Sequence, residues 1–186
     1  MAGNTVSHGL SVLVSGPGCL TRPLRTILAD ETFAAPTIAA DADGARTLMR
    51  TRRFDVVLVA TALPQADGFR LISDLRSDGA VLNRLFVALV IASGRSYQGR
   101  TSAFSTGADE VLFSPLMAGQ ITRKLTSLIN APRHYVSLET GYVGPCRRRW
   151  PAGDLPTDRR RQTQPFVGIA PLLAAAQTHT TGVLEA

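Results

Sequence analysis

Lysine is almost absent from this sequence, and cysteine and histidine are scarce. Lys124 is the single lysine, so the net charge of +6 comes almost wholly from arginine. The two cysteines, Cys19 and Cys146, suggest neither a disulfide framework nor the spacing of a metal site, and such thiols are typical of a reducing compartment. The three histidines lie far apart and form no ligand pattern. We therefore predict that the protein uses no metal and no other cofactor.

Long apolar segments are also missing. No apolar run reaches the roughly 18 to 20 residues that a membrane-spanning helix needs. The N-terminal segment, MAGNTVSHGL, lacks the basic and apolar regions of a signal peptide. These two absences predict a cytoplasmic protein that has no contact with a membrane.

Short apolar runs alternate with helical patterns from residue 10 to about residue 130. Two runs, Phe54–Ala60 and Leu85–Ala92, are apolar throughout, which indicates strands buried on both faces of a parallel sheet. The other predicted strands are Leu10–Val14, Pro36–Ala40 and Glu110–Phe113. Apolar residues at helical spacing predict helices at about 20–28, 43–53, 69–76, 97–106 and 118–129. Thr21 is the predicted N-cap of the first helix, and Asp41 or Asp43 that of the second.

Five strand–helix units with short loops predict a doubly wound α/β fold. Right-handed crossovers would give a five-stranded parallel sheet in the order 2-1-3-4-5, with helices on both faces. We expect a flexible N-terminus at 1–9, one domain at 10–130 and a C-terminal extension at 131–186. In such folds the chemistry lies beyond the C-terminal ends of the strands, so the residues that follow each strand are the candidate functional positions.

Two segments resemble the receiver (CheY-like) domain of two-component response regulators. Asp55–Phe69, DVVLVATALPQADGF, resembles the central segment of that family, and Gly107–Leu116, GADEVLFSPL, resembles its last strand and X-Pro turn. The resemblance covers about residues 10–130 and implies a flavodoxin-like fold. The scaffold positions that match the family are Pro64, Asp67, Gly68, Gly107 and Pro115.

The resemblance also shows which functional groups of the family are missing. Ser15 and Gly16 stand where the family has an acidic pair that holds Mg²⁺. Ala60 replaces the aspartate that accepts the phosphoryl group. Ala92 replaces the Thr or Ser that senses it, unless Ser93 substitutes after a shift of one residue. Ser114 replaces the lysine before the last proline, and Val111 the aromatic switch residue.

These replacements predict a receiver-like protein that cannot take a phosphoryl group. Mg²⁺ prefers carboxylate oxygens, and a methyl group cannot accept a phosphoryl group. Replacing clustered carboxylates by small neutral groups removes like-charge repulsion, which favours one locked conformation. We therefore expect no enzymatic activity. The expected function is binding of a histidine kinase, another receiver or an output protein in a bacterial signalling pathway.

The partner surface implied by the family is the face formed by the helix at about 97–106, the strand Glu110–Phe113 and the helix Ala118–Ile129. Val111 and Phe113 are the candidate contacts on this face, through which a homodimer is also possible.

The C-terminal extension is predicted to be largely irregular, because proline, glycine and arginine dominate it. Its two arginine clusters are Arg147, Arg148, Arg149 and Arg159, Arg160, Arg161. Three interpretations remain open: a solvated tail, docking onto an acidic protein surface, and binding to the phosphates of a nucleic acid. No helix-turn-helix pattern is present, which disfavours sequence-specific reading of a duplex.

A few local features have both a functional and a structural interpretation. The Ser15–Gly18 loop, SGPG, is either an anion-binding nest or a tight turn. Asp67 and Gly68 are predicted as a turn, Asp55 as a residue that caps the start of its strand, and Asp109 as a loop residue. Ser15, Ser93 and Ser114 have no partner that would activate them as nucleophiles, which disfavours an enzyme in the crevice of the sheet.

Overall fold

A computed structural model of the chain describes residues 9–29, 33–64, 66–93, 105–130, 135–138 and 142–146. Five strands form the central sheet: β1 Val12–Ser15, β2 Thr37–Ala39, β3 Val56–Ala60, β4 Val87–Ala92 and β5 Glu110–Phe113. They are all parallel and lie in the order β2-β1-β3-β4-β5. The predicted doubly wound fold and strand order are confirmed.

Both faces of the sheet are buried at β3 and β4, where every residue is apolar. Among the described residues, four helices cover it: α1 Gly18–Ile27, α2 Ala42–Thr51, α3 Gly68–Ser77 and α4 Ala118–Asn130. One apolar core lies beneath α2 and α3, and a second lies beneath α1 and α4. The predicted helix at about 97–106 falls almost entirely outside the described residues. No described helix has the length and apolarity that crossing a membrane requires.

The prediction of Thr21 as the N-cap of α1 is wrong. The helix starts at Gly18, because the carbonyl of Pro17 accepts hydrogen bonds from the backbone N–H groups of Leu20 and Thr21, at 2.9 and 3.0 Å. Thr21 is therefore a buried residue within the helix, and Pro23 lies inside the helix and not in its first turn. For α2, Asp41 is the N-cap, and its carboxylate accepts from the Gly44 N–H at 2.8 Å.

The C-terminal extension, predicted to be largely irregular, contains a short regular part within residues 135–138 and 142–146. Two short strands, β6 Tyr135–Ser137 and β7 Val143–Pro145, pair antiparallel and form the C-terminal hairpin. The hairpin packs on α3, and Tyr135 is only 4% exposed. Composition suggested no regular structure here. However, one buried aromatic side chain and a short ladder of backbone pairs are sufficient to form a hairpin when the domain supplies the packing surface.

Candidate functional site

The candidate functional positions meet at one edge of the sheet. Ser15 is level with Val59 of β3, the neighbouring Ala60 is level with Ile91 of β4, and Ala92 is level with Phe113 of β5. The C-terminal ends of β1, β3, β4 and β5 therefore form a single cleft rim, as predicted. We call this region the strand-end cleft, with Ser15, Gly16, Ala60, Ala92 and Ser114 as its members.

Small and apolar groups fill the strand-end cleft beside β1 and β3. A Cβ atom added at Gly16 would lie 3.0 Å from Leu20 Cδ2 and 3.2 Å from the Ala60 Cβ. Ala60 is itself only 6% exposed. A side chain at residue 16 would therefore require a small shift of Leu20, which packs against both apolar cores. The side chains nearest to residue 16 are apolar, and Gly16 and Ala60 offer no side-chain oxygen to a cation.

The polar groups nearest to this region are already engaged. Ser15 is fully buried, and its hydroxyl donates to the Asp41 carbonyl at 3.3 Å. The Asp41 carboxylate caps α2, as described above. The Asp67 carboxylate caps α3 by accepting from the Phe69 N–H at 3.0 Å. Both carboxylates thus neutralise the positive end of a helix and are not directed at the cleft.

The donor set of the cleft does not fit a magnesium ion. Mg²⁺ needs several oxygen ligands in near-octahedral geometry, whereas serine, glycine and alanine stand at the positions that the resemblance assigns to ligands. Within the described parts of the chain, no group of three or more His, Cys, Asp or Glu side chains could hold a metal ion.

The ends of β4 and β5 complete the rim. Ala92 is 6% exposed, whereas the neighbouring Ser93 is exposed. Ser114 is exposed as well, and its N–H donates to the Ala92 carbonyl at 2.9 Å, which ties the two strand ends together. The Ser114–Pro115 peptide bond is cis. The serines here are neutral hydroxyl groups and supply no positive charge for a phosphoryl group.

The matched scaffold positions have clear structural roles. A side chain at Gly68 would collide with the Ala60 carbonyl, so only glycine lets α3 begin this close to the end of β3. Gly107 has a φ of 86°, a left-handed conformation that also favours glycine. Pro64 and Pro115 are exposed in the turns that follow β3 and β5. Asp55 accepts from the Ser11 hydroxyl at 2.7 Å, which fits its predicted role at the start of a strand.

The candidate partner contacts differ in how far they are exposed. Val111 lies in the core and is 5% exposed, so its selection as a surface contact is corrected. Phe113 is half-buried, and the nearby Met117 is 72% exposed. An ion pair of 2.7 Å joins Lys124 of α4 to Glu110 at the start of β5. The predicted contacts Arg147, Arg148, Arg149, Arg159, Arg160 and Arg161 lie outside the described residues.

A buried charged cluster lies at the opposite edge of the sheet and was not predicted from the sequence. Arg76 of α3 is 0% exposed, and its guanidinium lies 3.2 Å from the carboxylate of Asp109, which is 3% exposed. The Tyr135 hydroxyl donates to the same carboxylate at 2.9 Å. Asp109 lies in the loop before β5, as predicted, but it is buried and ion-paired, which the sequence did not indicate. The available signal was the position of Arg76, which is one helical turn after the buried Ile72.

Tyr135 lies between a buried negative charge and a buried positive charge. Burial, followed by the nearby Asp109 carboxylate, raises the pKa of the Tyr135 hydroxyl far above its usual value, so it remains a hydrogen-bond donor. The Arg76 guanidinium carbon lies 4.1 Å from the centroid of the Phe86 ring and 4.7 Å from that of the Tyr135 ring. This sandwich between two rings helps to offset the cost of burying the charge.

Comparison with known proteins places the chain in a family. The model of the response regulator receiver domain family matches residues 19–126, more than half of the chain. The chain belongs to this family. It is therefore a receiver domain of two-component signalling, and such domains are signalling modules that interact with histidine kinases and other proteins.

A curated relative supports the same assignment. The chain is 26% identical over 110 residues to the probable transcriptional regulatory protein y4xI of Sinorhizobium fredii, a match covering 59% of this chain and 46% of the relative. The chain thus spans less than half the length of that relative.

Solved receiver structures share the fold. The receiver domain of the Francisella response regulator 1452 has a TM-score of 0.57 and 21% identity, over 64% of this chain and 96% of that one. The putative response regulator of Chloroflexus aurantiacus has a TM-score of 0.60 and 16% identity, over 64% and 97%. The receiver domain of the histidine kinase PA1611 of Pseudomonas aeruginosa, which holds magnesium in its active-site cleft, has a TM-score of 0.56 and 18% identity, over 64% and 96%.

Proposed function

We propose that this receiver domain does not accept a phosphoryl group in the strand-end cleft and acts by binding a protein partner. The packing around residue 60 carries the proposal. Ala60 offers a methyl group in place of an acceptor, and Leu20 closes the space beside Gly16. The carboxylates of Asp41 and Asp67 are engaged as helix caps. A nucleophile, a ligand set and a charge-stabilising lysine are all missing at once.

Phosphorylation can be tested directly. The full chain is incubated with acetyl phosphate and Mg²⁺ and examined by intact-mass spectrometry. A receiver domain with a complete acidic site is treated in parallel and shows that the reagent is active. We expect no phosphorylated species of this chain. A stable mass increase of one phosphoryl group on this chain would contradict the proposal.

The partner surface proposed here lies where β5 leads into α4. Met117 is the most exposed large apolar residue of the described chain, and the half-buried Phe113 and Leu116 precede it. β5 is also an edge strand of the central sheet. An exposed apolar group surrounded by partly buried ones is the usual form of an interface centre. The Glu110–Lys124 ion pair joins β5 to α4.

A matched pair of variants tests this surface. Met117→Asp places a charge at its centre, whereas Leu82→Asp places one on an equally apolar side chain, 51% exposed, in the loop before β4. In affinity capture from a nuclease-treated lysate of the native host, Met117→Asp should retain the partner about tenfold less than the wild type. Leu82→Asp should retain it fully. Loss of the partner only with Leu82→Asp would move the interface to the other edge of the sheet.

The same capture experiment examines the arginine-rich extension. A chain that ends at Cys146 keeps the C-terminal hairpin and lacks both arginine clusters. We expect this shorter chain to retain the same partner as the full chain. Loss of binding on truncation, or on nuclease treatment, would instead favour an acidic protein or a nucleic acid bound by the arginines. Nucleic-acid binding of that kind would also weaken steeply with salt.

A further inference from the structure

The C-terminal hairpin covers the corner where α3 ends and where β4 and β5 begin. This corner lies at the N-terminal edge of the sheet, opposite the strand-end cleft. Tyr135 reaches into the corner and is 96% buried from solvent. The backbone of β7 contacts α3 and lies against Gly107, two residues before the buried Asp109. The hairpin therefore packs where three elements of the domain meet.

Asp109 is the hub of the contacts in this corner. Its carboxylate accepts hydrogen bonds from the Ala88 N–H at 2.8 Å, from Arg76 at 3.2 Å and from the Tyr135 hydroxyl at 2.9 Å. Arg76 donates in addition to the carbonyls of Arg84 and Gly107. One carboxylate thus joins α3, the start of β4, the start of β5 and the hairpin.

Two glycines allow the hairpin to approach the domain backbone to backbone. A Cβ atom at Gly107 would collide with the Val143 carbonyl. A Cβ atom at Gly144 would lie 2.6 Å from Gly107 Cα. The two surfaces are therefore complementary at the level of the main chain, and neither position has room for a side chain.

We propose that the C-terminal hairpin is a built-in strap that holds the end of α3 and the start of β5 in one arrangement. The buried ion pair makes the strap effective. Arg76 and Asp109 are buried beside Tyr135, whose hydroxyl donates to the Asp109 carboxylate, while the Arg76 Nε has no hydrogen-bond partner among the described residues. Removing a hydrogen bond from a buried charge pair is costly, which makes the Tyr135 contact important to this pair. Release of the hairpin would leave the Asp109 carboxylate without its tyrosine donor and open Arg76 to water.

This proposal is independent of whether the strand-end cleft accepts a phosphoryl group. The strap acts at the other edge of the sheet, through contacts of Tyr135, Val143 and Gly144. A phosphorylated cleft would leave the proposal standing, and a free hairpin would leave the function proposed above untouched.

Amide hydrogen exchange of the full chain, followed by NMR, tests the strap. The Ala88 amide bonds directly to the Asp109 carboxylate, and the Asp109 amide bonds to the Ala88 carbonyl at 2.8 Å, so both report on the corner. Tyr135→Phe removes the hydroxyl and keeps the ring. We expect exchange of these two amides to accelerate about tenfold or more relative to the Leu13 and Val14 amides of β1, because a buried hydrogen bond to a charged group is lost.

A second variant and a matched control complete the test. Gly144→Ala forces the hairpin off the domain without touching the charged cluster and should accelerate the same two amides. Tyr142→Phe removes a hydroxyl whose bond to the Pro145 carbonyl, 3.1 Å, lies within the hairpin, so it should leave the corner unchanged. The proposal is overturned if neither Tyr135→Phe nor Gly144→Ala changes the two amides. It is also overturned if the amides of β1 accelerate equally, since the hairpin would then add only global stability.

Discussion

Ala60 is the last residue of the buried strand β3 and belongs to an apolar core. Its methyl group would lie 3.2 Å from a Cβ atom added at Gly16, and the residue is 6% exposed. Ala60→Asp restores the acceptor of the family but places a carboxyl group among hydrocarbon with no cation beside it. We expect this change to lower the free energy of unfolding by about 3 kcal/mol, because the group must be buried charged or protonated.

Urea unfolding measures this effect, and the chain supplies its own control. Ala35 is exposed in the loop before β2, so Ala35→Asp should change the free energy of unfolding by less than about 0.5 kcal/mol. If both variants unfold at the same urea concentration, the strand-end cleft is open to water and the packing described for Leu20 is not maintained in solution.

Individual side chains were the hardest part of the site to predict from the sequence. The replacements at Ser15, Gly16, Ala60, Ala92 and Ser114 follow from the alignment of motifs, but the closing role of Leu20 does not, since any apolar residue of α1 could have faced the core. Arg76 was missed for a different reason. An arginine at the end of a helix is normally solvated, and its burial depends on Asp109 and Tyr135, which lie 33 and 59 positions further along the chain.

At the scale of elements, β3 and β4 were predictable because all their residues are apolar. A strand that is buried on both faces of a parallel sheet carries such a continuous apolar run. Their first residues were less certain. The predicted strand Phe54–Ala60 begins at Val56, since Asp55 is engaged with Ser11 before the ladder starts. The helix α1 starts earlier than predicted, because the Pro17 carbonyl, and not the Thr21 side chain, accepts hydrogen bonds from its first N–H groups.

Pro23 makes α1 the helix most open to stabilisation. It lies inside the helix, where proline lacks the N–H that an interior residue donates, and it is exposed, so its ring contributes little packing. Pro23→Ala should raise the free energy of unfolding by about 1–2 kcal/mol, after allowance for the greater freedom of the unfolded chain. The shift of the urea midpoint measures it.

Pro17→Ala is the control for this change, because Pro17 occupies the N-cap, where no helical N–H is required. It should leave the midpoint unchanged or lower it slightly through the unfolded state. An unchanged midpoint for Pro23→Ala would indicate that the gain in helix stability is offset by the greater freedom of the unfolded chain.

For the whole molecule, the folded unit is larger than the region that the apolar pattern outlines. The pattern ends with α4 at Asn130, whereas Tyr135 completes the enclosure of Arg76 and Asp109. A chain that ends at Asn130 therefore exposes Phe86 and leaves two buried charges without their cover. We expect it to unfold with a free energy about 2–4 kcal/mol below that of the full chain, from lost apolar burial and the lost hydrogen bond to a carboxylate.

A chain that ends at Cys146 separates the contribution of the hairpin from that of the residues beyond it. It keeps Tyr135, Gly144 and all contacts described between the hairpin and the domain, so its urea midpoint should equal that of the full chain. The full chain, the chain ending at Cys146 and the chain ending at Asn130 are compared at one ionic strength, because the extension carries most of its charge as arginine. Equal midpoints for the two shorter chains would place the boundary of the folded unit at α4, where the apolar pattern ends, and would make the hairpin an appendage. A midpoint for the Cys146 chain midway between the other two would assign further packing to residues 147–186.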